Sequence, residues 1–150
     1  MTELGERILA EAREWLGTPW HHNQCCKGAG VDCARFYQGI LKNACEIEFE
    51  LENYSRKAVN GSLLRQIRAV PRLNELIIPI ERQAGDLLVF FVGREPGHCG
   101  ICNGEGMIHA DQGKGSVVEI PDLGQAWRSR LCAAFRVTAE NVQNAEMLTV

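Results

Sequence analysis

The spacing of apolar residues changes once along this chain, and the change decides its architecture. Leu4, Ile8, Ala12 and Trp15 recur at helical spacing, which predicts an amphipathic helix over 3–16 ended by Gly17 and Pro19. Phe36, Tyr37, Ile40, Leu41 and Ala44 repeat the pattern in a second helix starting at Cys33. Leu63, Leu64, Ile67 and Val70 mark a third, with Asn60 as its cap and Pro71 as its stop. After Gly85-Asp86 the period shortens. Leu87–Val92 (LLVFFV) is a continuous apolar run, as a buried strand requires. His98–Asn103 and Met107–Asp111 flank Gly104-Glu105-Gly106 as the arms of a hairpin. Val117–Ile120 and Leu131–Val137 supply further strands, with a helical turn at Gln125–Arg128. Helices first and strands afterwards predict an α+β fold, N-terminal helices packed on an antiparallel sheet. Residues 18–31 read as a loop and 46–54 as a short edge strand or extended segment with a solvated acidic face. Residues 138–150 form a weakly patterned tail within a single domain spanning 1–150.

The second helix begins with an unusual pair. In Gly28–Phe36 (GAGVDCARF), Asp32 is placed to cap the helix, its carboxylate accepting free N–H groups of the first turn. Cys33 then sits where unpaired N–H groups and the helix dipole favour negative charge, a setting that turns a thiol into a reactive thiolate. A cysteine nucleophile also needs a base, and the base needs an orienting group. The hairpin supplies both. If Asn103 faces Gly106 across the turn, Gly100 faces His109 and His98 faces Asp111. His98 and His109 then lie diagonally on one face, within reach of each other's rings, and Gly100 leaves the space between them open. A slip of one residue would separate them.

The bulk composition excludes several classes. The chain has 150 residues, enough to bury roughly 70% of its unfolded surface without a disulfide or metal. A net charge of −3 carries no nucleic-acid footprint. No stretch approaches a membrane span, and MTELGERILAEAREW lacks the apolar core of a signal peptide, so synthesis in the cytoplasm is expected. Seven cysteines in irregular spacing suggest free thiols rather than a disulfide framework, with Cys45, Cys99, Cys102 and Cys132 as small core residues. His21, His22, Cys25 and Cys26 have metal-ligand chemistry, and a small zinc module stays open on that ground. Cys99 and Cys102 make a poor chelate because a strand points them to opposite faces. Trp15 and Trp127 read as core residues.

The ordered pieces GTPW, GVDCARF, GDLLVFF, GHCGI and GEGMIHA resemble the NlpC-type family of papain-like cell-wall cysteine peptidases, over about Ile8 to Val137. GAGVDC, GHCGI, GMIHA and WRSRLCAAFRV look closest to its phage-tail and gene-transfer-agent branch. The resemblance implies a papain-like fold and a cysteine peptidase or amidase that cuts peptidoglycan stem peptides, often after D-γ-glutamate, through a Cys acyl-enzyme. It implies a setting on a phage tail, with tail proteins as partners, and no cofactor or metal. Cys33, His98 and His109 match the nucleophile, the base and the third polar position. Substrate binding falls to Asp32, Trp20, His22 and Ala34. Two of these depart from the family pattern: it commonly has Tyr after the loop Pro and Ser after the Cys, where this chain has Trp20 and Ala34. Two further readings stay open, another thiol acyltransferase or deamidase on the same scaffold and a catalytically inactive tail or binding module.

Overall fold

A computed structural model describes residues 2–52 and 62–139. Helix α1 spans Glu3–Glu14, opened by Thr2, whose hydroxyl accepts from the Gly5 N–H at 2.9 Å. A two-residue ribbon follows, β1 (Cys25–Cys26) against β2 (Gly30–Val31). Helix α2 spans Cys33–Cys45 and α3 Ser62–Arg68. The strands are β3 (Leu73–Glu75), β4 (Leu87–Val92), β5 (Glu95–Cys102), β6 (Met107–Asp111), β7 (Ser116–Ile120) and β8 (Leu131–Val137), with α4 (Gly124–Arg128) before the last. They form one antiparallel sheet in the order β3-β8-β4-β5-β6-β7. The α+β, papain-like architecture expected from the sequence is the one found. Among the described residues, no helix is long and apolar enough to cross a membrane.

The core explains the order of elements. One sheet face packs on α1 and α2 through Ile8, Ala12, Trp15, Phe36, Ile40 and Leu41, all buried, against Val89, Cys99, Ile101 and Ile108. Each of the larger side chains here, such as Ile8, Phe36, Ile40 and Leu41, contributes about 1.5–3 kcal/mol on burial. Trp15 meets Phe36 edge to face at 5.7 Å. The other face gathers Leu88, Phe90, Cys102, Met107 and Ala134 with Leu123 from the β7–α4 connection. Cys99 and Cys102 thus lie on opposite faces, as strand alternation requires.

Gly85-Asp86 is a built junction rather than a bare turn. Gly85 has φ +95°, and a Cβ there would run into the backbone of Gly5 in α1. Asp86 is buried and takes both guanidinium arms of Arg136, at 2.8 and 3.0 Å, which ties the start of β4 to β8.

Four local readings are corrected or bounded. The 18–31 loop contains the β1–β2 ribbon. β3 and the 3-10 turn Pro79–Glu81 were not expected. Residues 46–52 form no strand, yet Ile47 and Leu51 are buried while Glu46, Glu48 and Glu50 are exposed, an extended segment with one face on the core. Asn60, 53–54 and most of the expected tail lie outside the described residues.

Candidate active site

Asp32 caps α2 as its side-chain chemistry predicts. Its backbone is extended (φ −111°, ψ −178°), and one carboxylate oxygen accepts from the Arg35 N–H at 3.0 Å. The other accepts from the Asn23 N–H at 2.7 Å, so the buried carboxylate fastens the 18–31 segment to the helix start. His22 Nδ1 lies 3.9 Å from the same oxygen, and the His22 ring stacks against Trp20 at 6.5 Å. All three therefore form one group beside the start of α2.

Cys33 is the first residue of α2 and is half-buried. A narrow recess opens beside it, walled by Ala34, Leu51, Ser62, Leu63, Gln66 and Gly97. A larger, shallower hollow lined by Ile78, Ile80, Arg82 and Arg128 contains none of the predicted site residues.

The hairpin has the expected register. Its turn closes with Asn103 N–H donating to the Gly106 carbonyl at 3.2 Å, and the arms pair Ile101 with Ile108 and Cys102 with Met107. His98 Nε2 and His109 Nδ1 consequently meet at 2.8 Å, with their rings nearly perpendicular at 81°. Gly100 is needed between them: a Cβ there would come within 2.7 Å of Met107 Sδ and 3.0 Å of His109 Cβ.

Three electrostatic facts define what this group can do. The Cys33 thiol is held well below its usual pKa, first by a hydrogen bond from the Cys99 thiol and then by His98 beside it, against the cost of burial. Cys99 is pushed well up in return, by that hydrogen bond and by its own burial. His109, 1% exposed, is lowered to about 4 by burial and by the neighbouring His98, so it is neutral at pH 7. Its Nε2 has no hydrogen-bond partner and lies 4.0 Å from an Asp111 carboxylate oxygen.

Two members of the group escaped the sequence reading. Cys99, expected as a small core thiol, hydrogen-bonds the Cys33 thiol, and its Sγ lies 3.3 Å from the Cys33 carbonyl oxygen. Trp127, expected in the core, stacks on His98 at 5.1 Å and 29° and meets His109 edge-on at 5.5 Å. The Arg130 guanidinium caps the outer face of this indole at 4.3 Å. The one available signal for Cys99 is that it follows His98 directly. Trp127 gave none, because it reaches the histidines only through the β7–β8 connection. His21, His22, Cys25 and Cys26 were weighed as metal ligands; among the described residues no three His, Cys, Asp or Glu side chains stand together as a metal site.

A half-buried thiol with a lowered pKa, facing a histidine that is itself hydrogen-bonded to a neutral second histidine, can deliver a thiolate to a carbonyl and return a proton to a leaving group.

The fold has counterparts among solved structures. The NlpC/p60 domain of the peptidoglycan hydrolase SagA superposes with a TM-score of 0.62 at 22% identity, over 89% of this chain and 98% of that one. NlpC2 of Trichomonas vaginalis gives 0.71 at 15% identity over 93% of this chain, which spans about half of that longer protein (48%). An N-acetylmuramoyl-L-alanine amidase of Bacteroides uniformis gives 0.60 at 11% identity over 92% and 100%. No curated protein sequence matches the chain. The sequence model of the NlpC/P60 family matches residues 17–136, a span that holds Cys33, both histidines and Trp127, and on this match the chain belongs to the NlpC/P60 family.

Proposed function

We propose that this protein is a thiol hydrolase that cuts peptide or amide bonds in the stem peptides of peptidoglycan through an acyl-enzyme on Cys33. The observation that carries the reading is the 2.8 Å bond between His98 Nε2 and His109 Nδ1 beside a cysteine at a capped helix start. Membership of the NlpC/P60 family supports the substrate class, as do a peptidoglycan hydrolase and an N-acetylmuramoyl-L-alanine amidase among the structures of the same fold.

The 2.8 Å histidine contact supports the following proton path. His98 commits Nε2 to His109, which leaves Nδ1 to take the Cys33 proton. His109, neutral because of its burial, accepts at Nδ1 and keeps its own proton on Nε2, toward Asp111. That fixes the tautomer of His98 and costs no second charge in the site. The Cys33 sulfur attacks the carbonyl carbon, and the Cys33 backbone N–H, at a helix start where such groups lack intrahelical partners, stabilises the oxyanion. His98 then gives its proton to the departing amine. A water activated by the same ring releases the acid. Trp127 shields the histidine pair and holds its ring plane. No step needs a metal or cofactor.

The substrate lies along the recess at Ala34, with its amine end at Trp20, His22 and the charge of Asp32. The pieces resembling the phage-tail and gene-transfer-agent branch support a tail-borne enzyme. Incubation with defined murein stem peptides, with products identified by mass, tests the function. Products with a new carboxylate and a free amine support it. Transfer of the acyl group to an added amine in place of water supports the acyltransferase reading, and release of ammonia from a side-chain amide supports the deamidase. No conversion at all, with Cys33 unreactive, supports the inactive module.

A further inference from the structure

Cys99 supports the Cys33 thiolate but forms and breaks no bond to carbon in the acyl-transfer steps. It is 1% exposed, on the face of β5 that packs against α2, and the peptide that carries the base His98 also carries it. Its Sγ is 3.3 Å from the Cys33 carbonyl oxygen, and its thiol lies against the Cys33 sulfur. Cys33 opens onto the recess; Cys99 lies behind it. A small oxidant entering the recess therefore meets Cys33 first, with a second thiol already in contact from the protein side. That is the arrangement of an attacked and a resolving cysteine.

We propose that Cys33 and Cys99 together form an oxidative modification site for small hydroperoxides, closing to an intramolecular disulfide that blocks the nucleophile reversibly. The Cys33 thiolate attacks one peroxide oxygen and the O–O bond breaks. The leaving alkoxide or hydroxide takes a proton, and Cys33 becomes a sulfenic acid. The Cys99 sulfur then attacks the Cys33 sulfur, its proton leaving with the displaced hydroxyl as water. One peroxide is reduced by two electrons, and the two thiols are oxidised to a disulfide. An external dithiol reverses the step by exchange. Without Cys99 the sulfenic acid is open to further peroxide and proceeds to the sulfinic acid, which a dithiol does not reduce. The inference rests on Cys33 being the reactive thiol of the proposed function.

The test reads both separately. A limiting dose of iodoacetamide on the untreated protein, followed by peptide mapping, reports whether Cys33 is the most reactive thiol. A second sample receives a small excess of hydrogen peroxide, then blocking of free thiols and mapping without reduction. The expected result is a Cys33–Cys99 linked peptide pair, with iodoacetamide reactivity at Cys33 returned by dithiothreitol. In Cys99→Ser and Cys99→Val, peroxide should drive Cys33 to the sulfinic acid with no recovery. The two variants guard against one that misfolds. If Cys33 labels first but over-oxidises equally in wild type and variants, or if disulfides form only at Cys25 or Cys26, the modification site is wrong and the nucleophile stands. If Cys33 does not label first, both fall.

Discussion

His98 and His109, eleven positions apart, meet nitrogen to nitrogen at 2.8 Å beside Gly100, where a Cβ would crowd Met107 Sδ and His109 Cβ. The pairing makes the two rings unequal. His109 is buried and neutral, whereas His98 also touches Cys33 and the face of Trp127. His98 bridges the thiol and the indole, and His109 is placed to receive its hydrogen bond.

The inequality predicts unequal losses. His98→Ala removes the group that moves the proton and should lower kcat/KM by about 10²–10⁴-fold. His109→Ala removes only the partner that sets its tautomer and should cost less. Kinetics on preparations with matching circular dichroism check it. A larger loss at His109 means the roles are exchanged.

Burial of His109 also predicts an acid weakness. The folded state holds this imidazole at about 4, below its usual 6.5, so the unfolded chain binds the proton more readily. The stability in question is complete above pH 6.5 and is lost as pH falls toward 4, by about 3 kcal/mol in all. Denaturant unfolding at pH 7 and pH 4.5 should show a smaller acid loss in His109→Gln than in wild type. Equal losses would exclude the burial argument.

Cys99 is the largest cause of the lowered Cys33 pKa, ahead of His98. Cys99→Val should therefore raise the midpoint of the pH profile for Cys33 alkylation. His98→Ala should slow that alkylation near pH 6. A midpoint unmoved by Cys99→Val shows that the thiol contact does not tune the nucleophile.

Trp127 predicts a split between kinetic parameters. It touches the histidine rings and is absent from the recess, so Trp127→Ala should lower kcat by about tenfold to a hundredfold through a misplaced His98, with KM nearly unchanged. Trp127→Phe should recover most of the rate. An effect confined to KM would make the indole a substrate platform instead.

As proposed, the amine end of the substrate lies near Trp20, with Ala34 walling the adjoining recess. Neither offers a hydroxyl, and the Asp32 carboxylate is already engaged by the Asn23 and Arg35 N–H groups. Discrimination between a free stem peptide and its N-acetylated form should be weak in the parent and sharper in a Trp20→Tyr, Ala34→Ser double variant. Equal rejection by both proteins removes these positions from specificity.

The parts of this fold governed by local rules could be read from the sequence. Asp32 as cap, the α2 stripe and the hairpin register all follow from neighbours a few residues apart, and the register alone brought His98 to His109. What escaped depends on distant pairing. β3 is three residues, Leu73–Glu75, with no alternation of its own; it exists because β8, more than fifty residues later, offers Phe135–Val137 as an edge. The β1–β2 ribbon is two pairs long, too short for any periodicity. Cys99 looked like a core thiol because it is one; only the placement of α2 over β5 puts Cys33 against it.

A trapped adduct on Cys33 decides whether the proposed acyl-enzyme forms. The protein is mixed with a defined stem peptide, quenched in acid within the first turnovers and mapped by mass. The expected result is the mass of the acyl fragment on the peptide bearing Cys33, lost on further incubation and absent in Cys33→Ala. Cleavage that persists in Cys33→Ala, or an adduct carried by another residue, would contradict it.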